Sequence, residues 1–98
     1  MAPKFDCTGW IVQATAGRDK DGLFFVVGVD EETKRLLLAD GKRRKAAHPK
    51  AKQSAHVQPV ELGDFDHPVI QKLQQKEMVS DRELRKALAA FREVITLG

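Results

Sequence analysis

The apolar positions of this chain change period once. Up to about residue 60 they form short β-favouring runs cut by polar turns; after Gly63 they recur at helical spacing. Trp10 to Ala14 is the first run. The loop Gly17-Arg18-Asp19-Lys20-Asp21-Gly22 follows, with glycines that permit the positive φ of a tight hairpin. Leu23 to Val29 is the most strongly β-favouring stretch. Its nearly continuous apolar run predicts a strand buried on one face and partly covered on the other, and Gly28 within it predicts a bulge or a corner. Asp30 to Thr33 is a polar turn, and Leu36 to Ala39 is a third strand. Asp40-Gly41 has the composition of a type I′ turn, whose two central residues need positive φ. The stretch from Lys42 to Ala47 is therefore expected to pair with the third strand. Alternation would send Lys42 and Arg44 to one side and Arg43 and Lys45 to the other, so this strand should be short, bent or at an edge. The segment from His48 to Lys52 reads as a loop around Pro49. Gln53 to Gln58 reads as a fifth strand with Ala55 and Val57 inward, ended by Pro59.

Beyond Gly63, Asp66 is placed to cap a helix whose first turn holds Pro68, with Val69, Ile70 and Leu73 on one face. Ser80 and Glu83 match a capping box, and Leu84, Ala87, Leu88, Phe91 and Ile95 then recur at helical spacing. Two helices are expected, roughly 67–77 and 81–95. The fold class is mainly β with α: a small five-stranded SH3-like barrel followed by two C-terminal helices. The segments are a loose N-terminus at 1–7, the barrel at 8–60 and a helical extension at 64–96. Packing on the barrel or on the first helix is the main expectation for the last apolar stripe. The competing one is a partner surface of Leu84, Leu88 and Phe91. The opposite helix face carries Arg82, Arg85, Lys86 and Arg92, diluted by Asp81, Glu83 and Glu93.

Composition narrows the class. A chain of 98 residues with 42% hydrophobic residues is one domain with a real but small core. Its single cysteine, Cys7, cannot form an internal disulfide, and a lone thiol with no base beside it reads as a bystander. No apolar run approaches the ~20 residues that span a bilayer, so a cytoplasmic, reducing location is expected, with no membrane partner. The net charge of +3 is unevenly placed. Residues 42–52 contain Lys42, Arg43, Arg44, Lys45, Lys50 and Lys52, with His48 among them and no acid. Such local excess is the pattern of a binding patch.

The ordered segments Gly-Trp-Ile-Val, Ala-Gly-Arg-Asp-Lys-Asp-Gly and Leu-Phe-Phe-Val-Val-Gly-Val, with Leu-Leu-Ala-Asp-Gly-Lys-Arg-Arg-Lys after them, resemble a KOW motif. The stretch 8–60 is similar to small bacterial KOW-domain RNA-binding proteins, which are themselves similar to a KOW class of archaeal and eukaryotic large-subunit ribosomal proteins. The resemblance implies an SH3-like barrel, RNA binding, and association with ribosomes or translation. By analogy the loop from Gly17 to Gly22 and the basic segment would face the RNA. The helices at 64–95 fall outside the resemblance.

Lysine and arginine neutralise phosphates, and binding releases counterions. The expected RNA-binding residues are Arg18, Lys20, Lys42, Arg43, Arg44, Lys45, His48, Lys50 and Lys52. The chain has no tyrosine, and Phe24 and Phe25 lie in a core-like run, at most one of them facing outward. Backbone and shape recognition is therefore expected, with little reading of bases. Trp10 is expected to pack at the core or barrel end, ahead of a stacking role. Asp19 and Asp21 are expected to shape their turn. The loop matches neither a Walker A motif nor a dinucleotide fingerprint. His48, His56 and His67 match no common zinc spacing, so neither metal nor cofactor is expected. Asp64 and Asp66 form a close pair that capping explains, and no nucleophile, base and orienting group can be assembled, so no enzyme is expected. The expected partners are RNA, above all ribosomal RNA, and ribosomal or transcription proteins; the free protein is expected to be a monomer. The alternative is an SH3-like protein-interaction module of the transcription or translation machinery.

Overall fold

The computed structural model describes residues 7–97. The loose start expected at 1–7 lies outside the described residues, apart from Cys7, which is buried. Five strands are present: β1 (Ile11–Ala14), β2 (Leu23–Val29), β3 (Leu36–Ala39), β4 (Lys50–Lys52) and β5 (Val57–Pro59). They form one antiparallel sheet in the order β4-β3-β2-β1-β5. Two helices follow, α1 (Pro68–Gln74) and α2 (Asp81–Leu97).

The first three strands and the polar turn between β2 and β3 lie where the apolar runs place them. Gly28 sits at a register shift in the β2–β3 ladder, the irregularity expected of it. The next segment differs. Residues 42–47 form a bent loop rather than a strand, and β4 is three residues long, in the segment expected to be a loop. The expected fifth strand divides into a 3-10 turn at Ser54–His56 and the short β5, and Ala55 is exposed.

No ladder joins β4 to β5 among the described residues, so the expected barrel is seen as an open sheet. That sheet is nevertheless strongly curled. In a flat five-stranded sheet the outer strands stand about 19 Å apart. Here the chain passes from Lys52 on one edge to Val57 on the other through the 3-10 turn, which shortens its reach to about 13 Å.

Both faces of the sheet are covered, which explains the continuous apolar run in β2. Val12, Ala14, Phe24, Val26, Leu36 and Leu38 fill the concave side, with Cys7 and a half-buried Trp10. Ile11, Phe25 and Ala39 point to the other side and meet Val69, Ile70 and Leu73 of α1 and Leu84, Ala87, Leu88 and Phe91 of α2. Phe24 and Phe25 are thus both buried, one in each layer. The helical extension is a structural layer of the domain.

Each helix starts on a recognisable cap. Pro68 opens α1, and His67 rather than Asp66 is the N-cap, its Nδ1 accepting the Val69 N–H at 3.2 Å. The Ser80 hydroxyl accepts the Glu83 N–H at 3.1 Å, and the Glu83 carboxylate accepts the Ser80 N–H at 2.8 Å. Among the described residues no helix is long and apolar enough to cross a membrane.

Candidate nucleic-acid interface

The loop between β3 and β4 is built on Asp40. Its Oδ1 accepts the N–H groups of Lys42 and Arg44, each at 2.9 Å, while the Arg44 carbonyl accepts the N–H groups of Asp40 and Gly41, each at 3.0 Å. This side-chain turn replaces the expected type I′ hairpin. Gly41 has φ 80°, but Asp40 does not enter the left-handed region.

The loop is also pinned to the start of α2. The Ala46 N–H donates to Asp81 Oδ1 at 2.7 Å, and Arg85 Nη1 donates to the Gly41 carbonyl at 2.7 Å. A Cβ on Gly41 would lie 2.2 Å from the Asp81 carbonyl oxygen, so only glycine allows this approach. A strand from Lys42 to Ala47 would forgo all of these contacts.

The nine expected RNA-binding residues fall into two groups. Arg18, Lys20, Lys42, Arg43, Lys45, His48 and Lys50 are exposed. Arg44 and Lys52 turn inward. Arg44 Nη2 donates to Asp19 Oδ2 at 2.8 Å, and Lys52, buried to 8% exposure, places Nζ 3.9 Å from the same oxygen. Burial opposes ionisation of Asp19. The Arg44 hydrogen bond and the charges of Arg44, Lys52 and Lys50 outweigh it and hold its pKa below the usual carboxylate range. Arg44 and Lys52 are thus internal counter-ions, and their ion pairs fasten the β1–β2 loop to the basic segment.

A groove of about 560 Å³ lies between the two loops and α2. Its cationic lining comes from three separate segments: Lys20, then Lys42 and Arg43, then Arg85 and Arg92. The helix's part in it shows in the sequence as a spacing, since Arg85 and Arg92 are two turns apart and share a face. Asp21 and Asp40 also line the groove, half-buried Leu23 supplies its open apolar surface, and the core residues Phe24 and Leu88 lie at its floor. Five cations against two carboxylates leave a positive surplus.

The remaining candidates lie elsewhere. Leu84, Leu88 and Phe91 are 0–1% exposed and belong to the core, so they are not a surface for a partner. Trp10 packs with the concave core and lines a separate shallow groove with Pro59, Val60 and Leu62. Asp64 and Asp66 are exposed, as are His48 and His56. Among the described residues no group of three His, Cys, Asp or Glu side chains is placed to hold a metal ion. No protein-family model and no curated protein matches the chain.

Proposed function

We propose that this is a KOW-type, ribosome-associated RNA-binding protein of the cytoplasm that grips the RNA phosphate backbone. The observation that carries this reading is the groove in which Lys20, Lys42, Arg43, Arg85 and Arg92 converge from three segments. Exposed Arg18 and Lys45 add positive charge to the same two loops, and Lys50 adds it at the start of β4. The curled sheet, with β5 returning beside β1 after a 3-10 turn, is consistent with the SH3-like barrel that the KOW resemblance implies. Structured ribosomal RNA is the target that this resemblance favours.

Filter binding of structured ribosomal RNA across a salt series tests the reading. With ~4 phosphates neutralised, log K should fall against log salt with a slope of roughly −3 to −4. Salt-insensitive affinity, or affinity unchanged when Lys42, Arg43 and Lys45 become alanine, would overturn it. The alternative of a protein-interaction module loses its expected contact stripe, because Leu84, Leu88 and Phe91 are core residues.

A further inference from the structure

Two components of the basic groove are unnecessary for holding phosphate. One is its apolar part, where half-buried Leu23 is open to the groove above the core side chains of Phe24 and Leu88. The other is carboxylate. Asp40 is explained by the two backbone N–H groups it accepts. The Asp21 side chain is exposed and makes no hydrogen bond or ion pair among the described residues. Its backbone is held at φ 73° by an N–H donated to the Ala14 carbonyl at 2.7 Å. A free carboxylate beside five cations weakens phosphate binding, and becomes useful when the ligand also offers N–H donors.

Phosphate, a flat apolar body and N–H donors occur together in a nucleotide. The groove volume of about 560 Å³ lies in the range of roughly 300–1,000 Å³ typical of small-ligand sites. The aromatic side chains that usually stack on unpaired bases are not available in it: Phe24 and Phe25 are buried in the core, and Trp10 lines another groove. Planar guanidinium groups serve the same purpose, and Arg43 and Arg92 both line the space.

We infer that this groove holds one unpaired nucleotide of the bound RNA, such as a bulge in a helix. The base lies against half-buried Leu23 and an arginine plane, its amino group directed to Asp21, and the neighbouring phosphates rest on Lys20 and Lys42. The inference depends on the RNA-binding reading and adds a base preference to it. Cytosine presents an exocyclic amino group to a carboxylate. Uracil presents a ring N–H between two carbonyls, which a carboxylate repels.

Fluorescence anisotropy with three labelled hairpins at fixed salt tests this: one fully paired, one with a single cytidine bulge, one with a single uridine bulge. The cytidine-bulge hairpin should bind about tenfold tighter than the other two. In Asp21→Asn, where asparagine tolerates the left-handed backbone, the cytidine-to-uridine ratio should fall toward one. Arg92→Ala, on an exposed helix face, should reduce the preference for the bulge over the paired hairpin. Equal affinity for all three hairpins would overturn the inference and leave RNA binding standing. Failure to bind any hairpin would overturn both readings. Displacement of the bulged hairpin by micromolar free cytidine monophosphate would assign the groove to a free nucleotide and overturn the RNA assignment.

Discussion

Asp19 and Arg44, twenty-five residues apart in sequence, meet at 2.8 Å, and this contact divides the basic segment into inward and outward parts. The Asp19 carboxylate is nearly buried, with a side-chain exposure of 7%, and it faces Lys52 as well. A pair in this position contributes by its geometry: it sets where the β1–β2 loop stands relative to Lys42 and Arg43. The outward bases converge because two of their neighbours are held inside.

Asp19→Asn should destabilise the protein by about 2–3 kcal/mol in urea unfolding at pH 7. A buried pair that loses one partner costs about 3–5 kcal/mol, and the 31% exposure of the Arg44 side chain lowers that figure. The pH dependence has a definite sign. Asp19 has a folded pKa below its unfolded value of 3.8, so its contribution is present above pH 3.8 and is lost as pH falls through the folded pKa. Wild type should therefore lose stability in that acid window more steeply than Asp19→Asn.

Arg43→Ala and Arg44→Ala should differ in kind, although the residues are adjacent. Arg43 is exposed and lines the groove, so its loss should lower RNA affinity and reduce the salt slope by about 1, with unfolding unchanged within ~0.5 kcal/mol. Arg44 is held by Asp19, so its loss should appear first in the urea midpoint. Equal salt slopes for the two variants would contradict this division.

Much of the fold was legible because the signals were local. The β-branched and aromatic runs locate β1 to β3, Gly28 marks its bulge, and the Ser80–Glu83 box starts α2. The basic segment was misread as a strand because its conformation is set from a distance. Ala46 is bonded to Asp81, thirty-five residues on, and Gly41 packs on the same residue. No charge count reveals that Arg44 and Lys52 have an acid waiting in another loop. The N-cap moved by one residue because the His67 ring nitrogen accepts the Val69 N–H. Arg85 and Arg92 could be placed beside the basic loops only once the sheet had positioned α2.

Phe91→Ala should cost about 3–5 kcal/mol, as large-to-small changes of fully buried aromatics do. Phe91 is 0% exposed, and Phe65 packs edge-on against it with ring centroids 5.2 Å apart. Thermal unfolding measures the loss. A surface residue of a partner site would instead leave the melting temperature nearly unchanged.

Gly41→Ala and Gly63→Ala separate two costs that act together at Gly41. Both glycines have positive φ, 80° and 60°, so alanine is strained at each by about 1–2 kcal/mol. At Gly63 nothing lies within 4 Å of a new Cβ, so that strain should be the whole effect. At Gly41 the Cβ would meet the Asp81 carbonyl oxygen at 2.2 Å, and backbone must move to admit it. That movement separates the loop from α2, loosening the Arg85 bond to the Gly41 carbonyl and the Ala46 bond to Asp81. Gly41→Ala should therefore lower the melting temperature by clearly more than Gly63→Ala. It should also weaken RNA binding under conditions where the variant remains folded, because Lys42 and Arg43 lose their position beside Arg85 and Arg92. Equal melting shifts for the two variants, with RNA affinity intact in both, would show that the loop does not depend on its contact with the helix.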